Sequence, residues 1–310
     1  MENRTGETQQ FILVGLTNDP HLEGPLFIIF FFIYLITMFG NLGMIGLIIS
    51  DFRLHTPMYF FLGNLSLVDF CYSTTVTPNV MTGLLMGDKV MSHNACATQL
   101  FFFAVCATAE NYLLASMAYD RYAAVCKPLH YTTTMTTNVC ACLVIGCYGC
   151  AFLNACIYTG NAFSVSFCKT NVVHHFFCDI PAVTFISCSD SHAHELLVIY
   201  LAGFNIFFAL IVIWISYMII FITILKMRSA SGLGKAVSTC VSHFTAVFIF
   251  YSTVMFMYLQ PSSSHSMDTD TISSMFYTMV IPMLNPVVYS LRNKEVKSAF
   301  TKIVFKRTQS

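Results

Sequence analysis

Charged residues and tryptophan are scarce in this chain of 310 residues. Asp, Glu, Lys and Arg together make up 10% of the sequence and Trp occurs once, whereas 56% of the residues are hydrophobic and the mean hydropathy is +0.69. A soluble domain carries about 25% charged residues, so this chain could not cover a water-facing surface. The composition excludes a soluble, disordered, collagenous or coiled-coil protein. Basic and acidic residues are equal in number, at 15 each, which gives no sign of a nucleic-acid partner.

Seven long stretches are nearly free of charge, and only Asp69 and Glu110 lie deep within them. A membrane-spanning helix needs roughly 20 apolar residues, and the stretches lack the alternating pattern of barrel strands. The sequence therefore predicts an all-α membrane protein, a bundle of seven transmembrane helices over 26–291, preceded by an extracellular segment 1–25 and followed by a cytoplasmic tail 292–310. The predicted spans are about 26–50, 58–82, 96–122, 139–161, 196–226, 236–259 and 271–291.

The basic residues are unevenly distributed about these spans. Of the 15 Lys and Arg residues, only Arg4, Lys89 and Lys169 fall on the side of the N-terminus. Because cytoplasmic loops carry the excess of Lys and Arg, the N-terminus is predicted outside and the C-terminus inside. Asn3 begins a glycosylation sequon on the predicted outer side, which agrees with this orientation.

The C-terminal tail is basic and carries apolar residues at helical spacing. We expect a short amphipathic helix that lies on the anionic inner leaflet, and a disordered basic tail is the alternative. The apolar positions are Val296, Phe300, Ile303 and Val304.

The 13 cysteines separate by location. Cys96, Cys168, Cys178 and Cys188 lie on the predicted outer side, where oxidising conditions favour two disulfides, and four cysteines allow three connectivities. The others lie in or near the spans, where Cys packs as a small hydrophobe. Metal binding by the Cys147–Cys150 pair, or by His174 and His175 beside Cys178, is a less favoured alternative.

Five motifs stand at the ends or in the interior of particular spans. In this order they resemble those of the mammalian olfactory receptors, which are rhodopsin-like G-protein-coupled receptors, and specifically the larger tetrapod-type (class II) group. The resemblance extends from about Phe11 to Val304. The motifs are Gly40-Asn41 in the first span, LHTPMYFF (54–61) at the second, MAYDRYAAVC (117–126) at the third, KAVSTCVSHF (235–244) at the sixth and PMLNPVVY (282–289) at the seventh.

The resemblance implies a site for a G protein at the cytoplasmic side. Arg121 would be closed on Asp120 at rest and would be freed to meet the G-protein α-subunit, a role that suits a permanently charged guanidinium with a planar fork of donors. The alternative for Arg121 is a snorkelling charge that anchors the helix end. The residues implied in coupling and activation are Asp120, Arg121, Tyr122, Tyr217, Lys235, Pro286 and Tyr289.

Charged groups deep in a membrane are costly and usually functional, so Asp69 and Glu110 are predicted to share one polar cavity. They could hold a sodium ion or share protons, and the resemblance favours a sodium ion that stabilises the resting state. Asn41, Ser116 and Asn285 are expected nearby, and Asn285 is expected to satisfy the backbone groups that Pro286 leaves free. No other cofactor is expected.

The resemblance also places a ligand site between the third, fifth and sixth helices. Its residues are mostly apolar, and no acid lies near Phe103 to pair with an ammonium group, which favours small, neutral, hydrophobic volatiles. The implied disulfides are Cys96–Cys178 and Cys168–Cys188. The expected ligand contacts are Phe103, Ala104, Ala107, Thr108, Asn111, Leu201, Ala202, Asn205, Ile206, Tyr251, Val254, Met255, Tyr258, Met275, Thr278 and Met279.

The function implied is that of an odorant receptor in the plasma membrane, in the cilia of olfactory sensory neurons, which activates a stimulatory G protein and raises cyclic AMP. A receptor of this fold with a non-olfactory ligand is the nearest alternative. A channel or transporter would show an inverted repeat, and a retinal pump would need a lysine in 271–291. An enzyme is not expected, because Ser116 and His243 lie on different helices and no nucleophile motif occurs.

Overall fold

The computed structural model describes residues 10–17, 19–87, 89–167, 170–187, 192–227, 230–258, 267–292 and 294–307. Helices dominate these residues. The α-helices are α1 (Pro20–Ser50), α2 (Pro57–Met86), α3 (His93–Cys126), α4 (Tyr131–Thr134), α5 (Thr137–Phe163), α6 (Ile180–Phe185), α7 (His192–Lys226), α8 (Ala230–Tyr258), α9 (Met267–Met275), α10 (Ile281–Arg292) and α11 (Lys294–Arg307).

The bundle of seven membrane helices is formed by α1, α2, α3, α5, α7, α8 and the α9–α10 pair. A π-helical turn at Phe276–Val280 joins α9 to α10 into one seventh span. Five spans are apolar and long enough to cross a bilayer by themselves, in α1, α3, α5, α7 and Thr271–Ser290. The apolar part of α8, His243–Met255, is shorter, and α2 carries many polar residues. The predicted seven-helix fold is confirmed.

The helix α3 forms the axis of the bundle. In its most apolar window 72% of the residues are buried, compared with 17% in α1. It packs against α2, α5, α7 and α8. Many large apolar side chains of α1 and α7 are exposed instead, such as Phe39 and Trp214. An exposed apolar surface of this extent fits contact with lipid.

A small sheet covers one end of the bundle. The strand β1 (Gln10–Leu13) pairs antiparallel with β2 (Val90–Ser92) and parallel with β3 (Val172–Val173). Phe11 and Leu13 point inward and are buried, and Phe11 packs edge-on against Phe167, with ring centroids 5.3 Å apart. We call this the sheet end and the opposite end, at Asp120 and Arg121, the Arg121 end. The strands were not predicted, because they are short and their partners are distant in sequence.

The helices α1 and α10 approach closely at a proline. A Cβ atom on Gly40 would lie 3.0 Å from Cγ of Pro286, which is closer than an ordinary contact, so a larger residue would push the two helices apart. Pro286 has no backbone N–H and therefore leaves the Pro282 carbonyl without its helical donor. Asn41 Nδ2 supplies that donor at 3.0 Å, and the expectation that Asn285 would do so is wrong. Asn285 bonds two carboxylates instead.

The predicted amphipathic helix of the tail is confirmed as α11. Val296 and Ala299 are buried against the bundle, whereas Phe300 is exposed. The Tyr59 hydroxyl on α2 donates to Glu295 at 2.7 Å and ties the start of α11 to the bundle.

Candidate functional site

A disulfide holds the loop between α5 and α7 against the sheet end of α3. Cys96 and Cys178 form this bond, and both are completely buried. The side chain of Gln99, one turn further along α3, accepts the Cys178 N–H at 2.9 Å. The predicted Cys96–Cys178 pairing is confirmed. Cys168 and Cys188 lie outside the described residues.

The loop carries two phenylalanines, Phe176 and Phe177, over Phe103, which is the first of the predicted ligand contacts on α3. Phe103 packs against Phe177 of the loop, with ring centroids 5.0 Å apart, and against Tyr72 of α2 at 5.3 Å. The ring of Tyr277 completes the group at 5.9 Å from Phe103. Phe176 in turn packs on Phe177 at 4.9 Å. The Cys96–Cys178 bond thus holds an aromatic cover over the interior of the bundle.

The other predicted ligand contacts fall into two apolar clusters, one in the main core and one around Ala104, and Met255 lies outside both. The structure places the partly buried Ala107, Ile206, Val254 and Met275 around the main apolar core, with Met279 buried in it. Ala104 packs instead with Ala155 and Tyr158 of α5, beside Leu201 and Ala202 of α7. Met255 is 50% exposed on the outside of α8, because it lies one position past the inward-facing Val254. The side chain of Tyr258 lies outside the described residues.

A hydrogen-bonded network of amides and hydroxyls links four helices below this region. Asn111 of α3 accepts from the Tyr251 hydroxyl of α8 at 2.7 Å and donates to the Asn205 carbonyl of α7 at 3.1 Å. The Asn205 side chain accepts from Asn154 of α5 at 3.1 Å and from the Tyr112 hydroxyl. Three predicted ligand contacts are therefore bonded to one another. Tyr112 and Asn154 were missed, because no sequence pattern pairs them with Asn205.

Two buried threonines of the predicted ligand set differ in their bonding. The Thr278 hydroxyl donates to the Ser274 carbonyl in its own helix at 2.7 Å. The Thr108 hydroxyl makes no hydrogen bond to any residue in the described part of the chain. The Thr108 hydroxyl on α3 can therefore both donate a hydrogen bond to a ligand and accept one from it.

The loop between α5 and α7 also bonds to the seventh span. His175 lies 3.1 Å from the Ser274 hydroxyl, and Tyr277 donates to Asp179 at 3.3 Å. Asp179 thereby brings a carboxylate to the aromatic group around Phe103, where the sequence suggested none. Its other oxygen accepts the Ile180 N–H at 2.8 Å, so both oxygens are engaged.

Asp69 and Glu110 meet at Asn285 in the interior of the bundle. The Asn285 amide donates to Asp69 at 3.0 Å and to Glu110 at 3.2 Å, and all three residues are buried. Asp69 Oδ1, Glu110 Oε2 and Asn41 Oδ1 have no hydrogen-bond partner among the described residues. Ser116 is directed elsewhere, toward Cys147 of α5 at 3.5 Å. Hard cations prefer carboxylate and amide oxygens as ligands. No group of three or more acidic, His or Cys side chains that could hold a metal ion occurs among the described residues.

At the other end, Arg121 is buried and paired with its neighbour. Its guanidinium donates to the Asp120 carboxylate, with Nε at 3.1 Å. Tyr131 of α4 donates to the other oxygen of Asp120 at 2.7 Å. Burial and the Asp120 charge raise the pKa of the Tyr131 hydroxyl, so it keeps the proton that it donates. The arrangement holds Arg121 away from solvent.

A histidine links α3, α7 and α8 near the Arg121 end. His243 Nε2 donates to the Leu114 carbonyl at 3.1 Å, which leaves Nδ1 to accept the Tyr217 hydroxyl at 2.6 Å. Tyr289 is buried and its hydroxyl has no partner among the described residues. The sequence singled out Tyr217 and Tyr289 but missed the role of His243. A lone histidine in an apolar span is a signal of a functional role that could have identified it.

The remaining predicted sites are separate from these groups. Cys147 is buried and Cys150 is exposed, and both are free. Tyr122 is half-buried and the Lys127 ammonium lies 5.6 Å from its ring. Asn3 and the side chain of Lys235 lie outside the described residues.

Comparison with known proteins gives consistent matches over almost the entire chain. A family described as olfactory receptor matches residues 30–307. Human olfactory receptor 5B3 is 71% identical over 306 residues, which cover 99% of this chain and 97% of that receptor. Human olfactory receptor 5B2 is 68% identical over 98% of both chains. Mouse olfactory receptor 5B21 is 60% identical over 98% of this chain and 95% of that receptor.

Proposed function

The chain belongs to the olfactory receptor family, and from this premise we propose that it binds small, mostly neutral, hydrophobic volatiles near the sheet end and activates a stimulatory G protein that raises cyclic AMP. A multi-pass receptor of this family resides in the plasma membrane and is not an enzyme. The proposed setting is the cilium of an olfactory sensory neuron, with the sheet end outside and the Arg121 end in the cytoplasm. The position of the Cys96–Cys178 bond at the sheet end supports this orientation, because disulfides persist in oxidising compartments.

The observation that carries the proposal is the position of Phe103 beneath the loop. Its ring lies among those of Tyr72, Phe177 and Tyr277, and Ala107 follows it one turn along α3. Aromatic and small apolar side chains bind a neutral hydrophobic molecule mainly through the burial of apolar area. Both oxygens of the nearby Asp179 carboxylate already accept hydrogen bonds within the receptor, one from an N–H and one from a hydroxyl.

The proposed ligand site is connected to the Arg121 end through polar contacts between helices. Asn111 and Tyr251 join α3 to α8, and Leu114 and His243 join the same helices closer to Arg121. A ligand that displaced Tyr251 would favour movement of α8 relative to α3. Separation of these helices would open the Arg121 end, and Arg121 would then have to leave Asp120 to meet the G protein. The closed and open arrangements would be the two states that coupling between distant sites requires.

A reporter assay tests the proposal directly. Cells that express the full chain together with a stimulatory olfactory-type α-subunit would be screened for cyclic AMP against a broad panel of volatiles. We expect responses to neutral hydrophobic members and none to strongly charged ones. A receptor at the cell surface that responds only to ammonium or carboxylate compounds would contradict the proposed ligand class.

Thr108→Val should weaken the response to odorants that carry an oxygen acceptor. The variant removes one hydroxyl at constant shape, and loss of a hydrogen bond to a neutral ligand costs about 0.5–1.5 kcal/mol, a potency loss of roughly two- to tenfold. Concentration–response curves would be compared for ketones or esters and for hydrocarbons of equal size. Equal shifts for both classes would contradict the hydrogen bond to Thr108. From the sequence, Tyr258 on α8 is the first candidate donor to such odorants, and Thr108 and Asn205 are secondary polar groups.

Ala107→Leu is the matched test of shape. The larger side chain adds bulk beside Phe103 and should penalise larger odorants whatever their polarity. A shift that does not depend on the size of the odorant would mean that α3 does not line the site.

We further propose that Asp69 and Glu110 hold a sodium ion that stabilises the resting receptor, with a shared proton as the alternative. The three unpaired oxygens of Asp69, Glu110 and Asn41 support this proposal. Replacing sodium by choline at constant ionic strength should raise agonist potency in the wild type and have no effect on Asp69→Asn, measured by cyclic AMP in isolated membranes. Glu110→Gln is the matched variant. Sodium dependence that persists in Asp69→Asn would contradict the site, and dependence on pH alone would favour the proton.

A further inference from the structure

A cavity lies at the sheet end, apart from the proposed odorant site around Phe103. Its volume is about 160 Å³, and it is lined by the segment after β1, the last turns of α2, the strand β2 and Phe176 of the loop. Leu16, Leu84 and Phe176 supply apolar walls, whereas Thr17, Thr82 and Lys89 supply polar groups. Because Phe176 lies on Phe177, and Phe177 lies on Phe103, the aromatic pair separates this cavity from the proposed odorant site.

Lys89 is the charged residue of the cavity wall, and its ammonium group is only partly engaged. Nζ donates to the Thr17 carbonyl at 3.3 Å, and the Glu23 carboxylate lies 3.9 Å away. The second distance is too long for a hydrogen bond, and an ammonium group has three donors. Lys89 therefore keeps donor capacity at a cavity that has both apolar and polar walls.

The backbone beside Lys89 allows its side chain to lie along the cavity. Gly15 has a φ of +83°, and a Cβ atom there would lie 3.2 Å from Lys89 Cε and 3.4 Å from Nζ. Glycine is favoured at this position both by its left-handed conformation and by the close approach of the lysine. The segment after β1 thus positions the ammonium group.

We propose that this cavity is a second ligand site, which binds small carboxylates through Lys89. The apolar part of the ligand would pack against Leu16, Leu84 and Phe176, and its carboxylate would take the place of the distant Glu23 as the partner of the ammonium group. A cavity of about 150 Å³ holds a benzene-sized molecule, so the volume suits an aromatic or short-chain acid. Charge-assisted hydrogen bonds in a partly apolar environment are roughly twice as strong as neutral ones.

Benzoate and its neutral isostere benzamide are suitable probes. Binding to the purified full chain in lipid nanodiscs would be measured by ligand-observed NMR, which does not depend on odorant or G-protein activity. Benzoate should bind more tightly than benzamide to the wild type. Lys89→Gln should weaken benzoate binding by about tenfold or more and leave benzamide binding unchanged.

Glu23→Gln separates a binding role of Lys89 from a structural one. Glu23→Gln removes the competing carboxylate and should strengthen benzoate binding. If Lys89 and Glu23 formed only a structural ion pair, Lys89→Gln and Glu23→Gln would both change benzoate binding in the same direction. Leu16→Trp fills the cavity with the charge intact and should abolish benzoate binding, which keeps the test valid if Lys89→Gln folds poorly. Benzoate binding that is unchanged in Lys89→Gln or in Leu16→Trp would overturn the proposal.

Discussion

Arg121→Ala should reduce the odorant-evoked cyclic AMP response to that of cells without the receptor. The guanidinium of Arg121 is bonded to Asp120 at the end of α3, and Tyr131 bonds the same carboxylate. In this resting arrangement Arg121 does not face the cytoplasm. The side chain lies seventeen residues beyond Ala104, a distance of roughly 25 Å along the helix, and does not reach the ligand site. The variant should therefore bind odorant and fail to activate the G protein.

The control for this variant is another arginine at the same end. Arg53 bonds Asp51, two positions away, and its side chain is 45% exposed. Exposed ion pairs of this kind contribute little to stability, so Arg53→Ala should keep most of the response. Both variants would be compared at equal surface expression, measured by antibody staining of intact cells. An undiminished response in Arg121→Ala would refute the coupling role.

Cys96→Ser should remove the receptor from the cell surface. The Cys96–Cys178 bond closes a loop with a sequence separation of 82 residues, and loss of a native disulfide costs about 2–5 kcal/mol. It also holds Phe177 over Phe103, so any receptor that does reach the surface should respond weakly. The measurement is surface staining together with cyclic AMP output.

Cys150→Ser is the matched substitution, because Cys150 is free and exposed on α5. It should leave expression and response near the wild-type level. Normal surface expression and potency of Cys96→Ser would contradict the importance of the bond. Peptide mapping without reduction would also test the predicted Cys168–Cys188 bridge, and a peptide that joins Cys168 to Cys178 would contradict both pairings.

The number of spans, the helical class and the motif positions followed from the sequence because each depends on local physics. A segment that crosses a bilayer must be continuously apolar and must satisfy its backbone hydrogen bonds internally, and this requirement shows directly in the sequence of the spans. The apolar spacing of the tail likewise predicted α11, whose Val296 and Ala299 are buried. The family resemblance, rather than any spacing, selected Cys96 and Cys178 from three connectivities.

The positions of polar side chains between helices required the tertiary structure. Asn285 was expected to serve the backbone near Pro286, but Asn41 on another helix does so, because the close contact at Gly40 brings α1 to that carbonyl. Helical periodicity places a residue on a face and does not specify which partner that face meets. For the same reason, Ser116 was expected beside Asp69 and instead contacts α5.

By itself the sequence determined that this protein is a seven-helix membrane receptor, because composition, apolar length and short motifs carry that information locally. Only the tertiary structure decided what its polar residues do. It joined β1 to strands distant in sequence, placed Lys89 on the wall of a cavity, and engaged Asn111, Asn205 and Tyr251 with one another. These contacts depend on how the helices pack around α3, and in a membrane that packing is driven by van der Waals contact and by hydrogen bonds between helices.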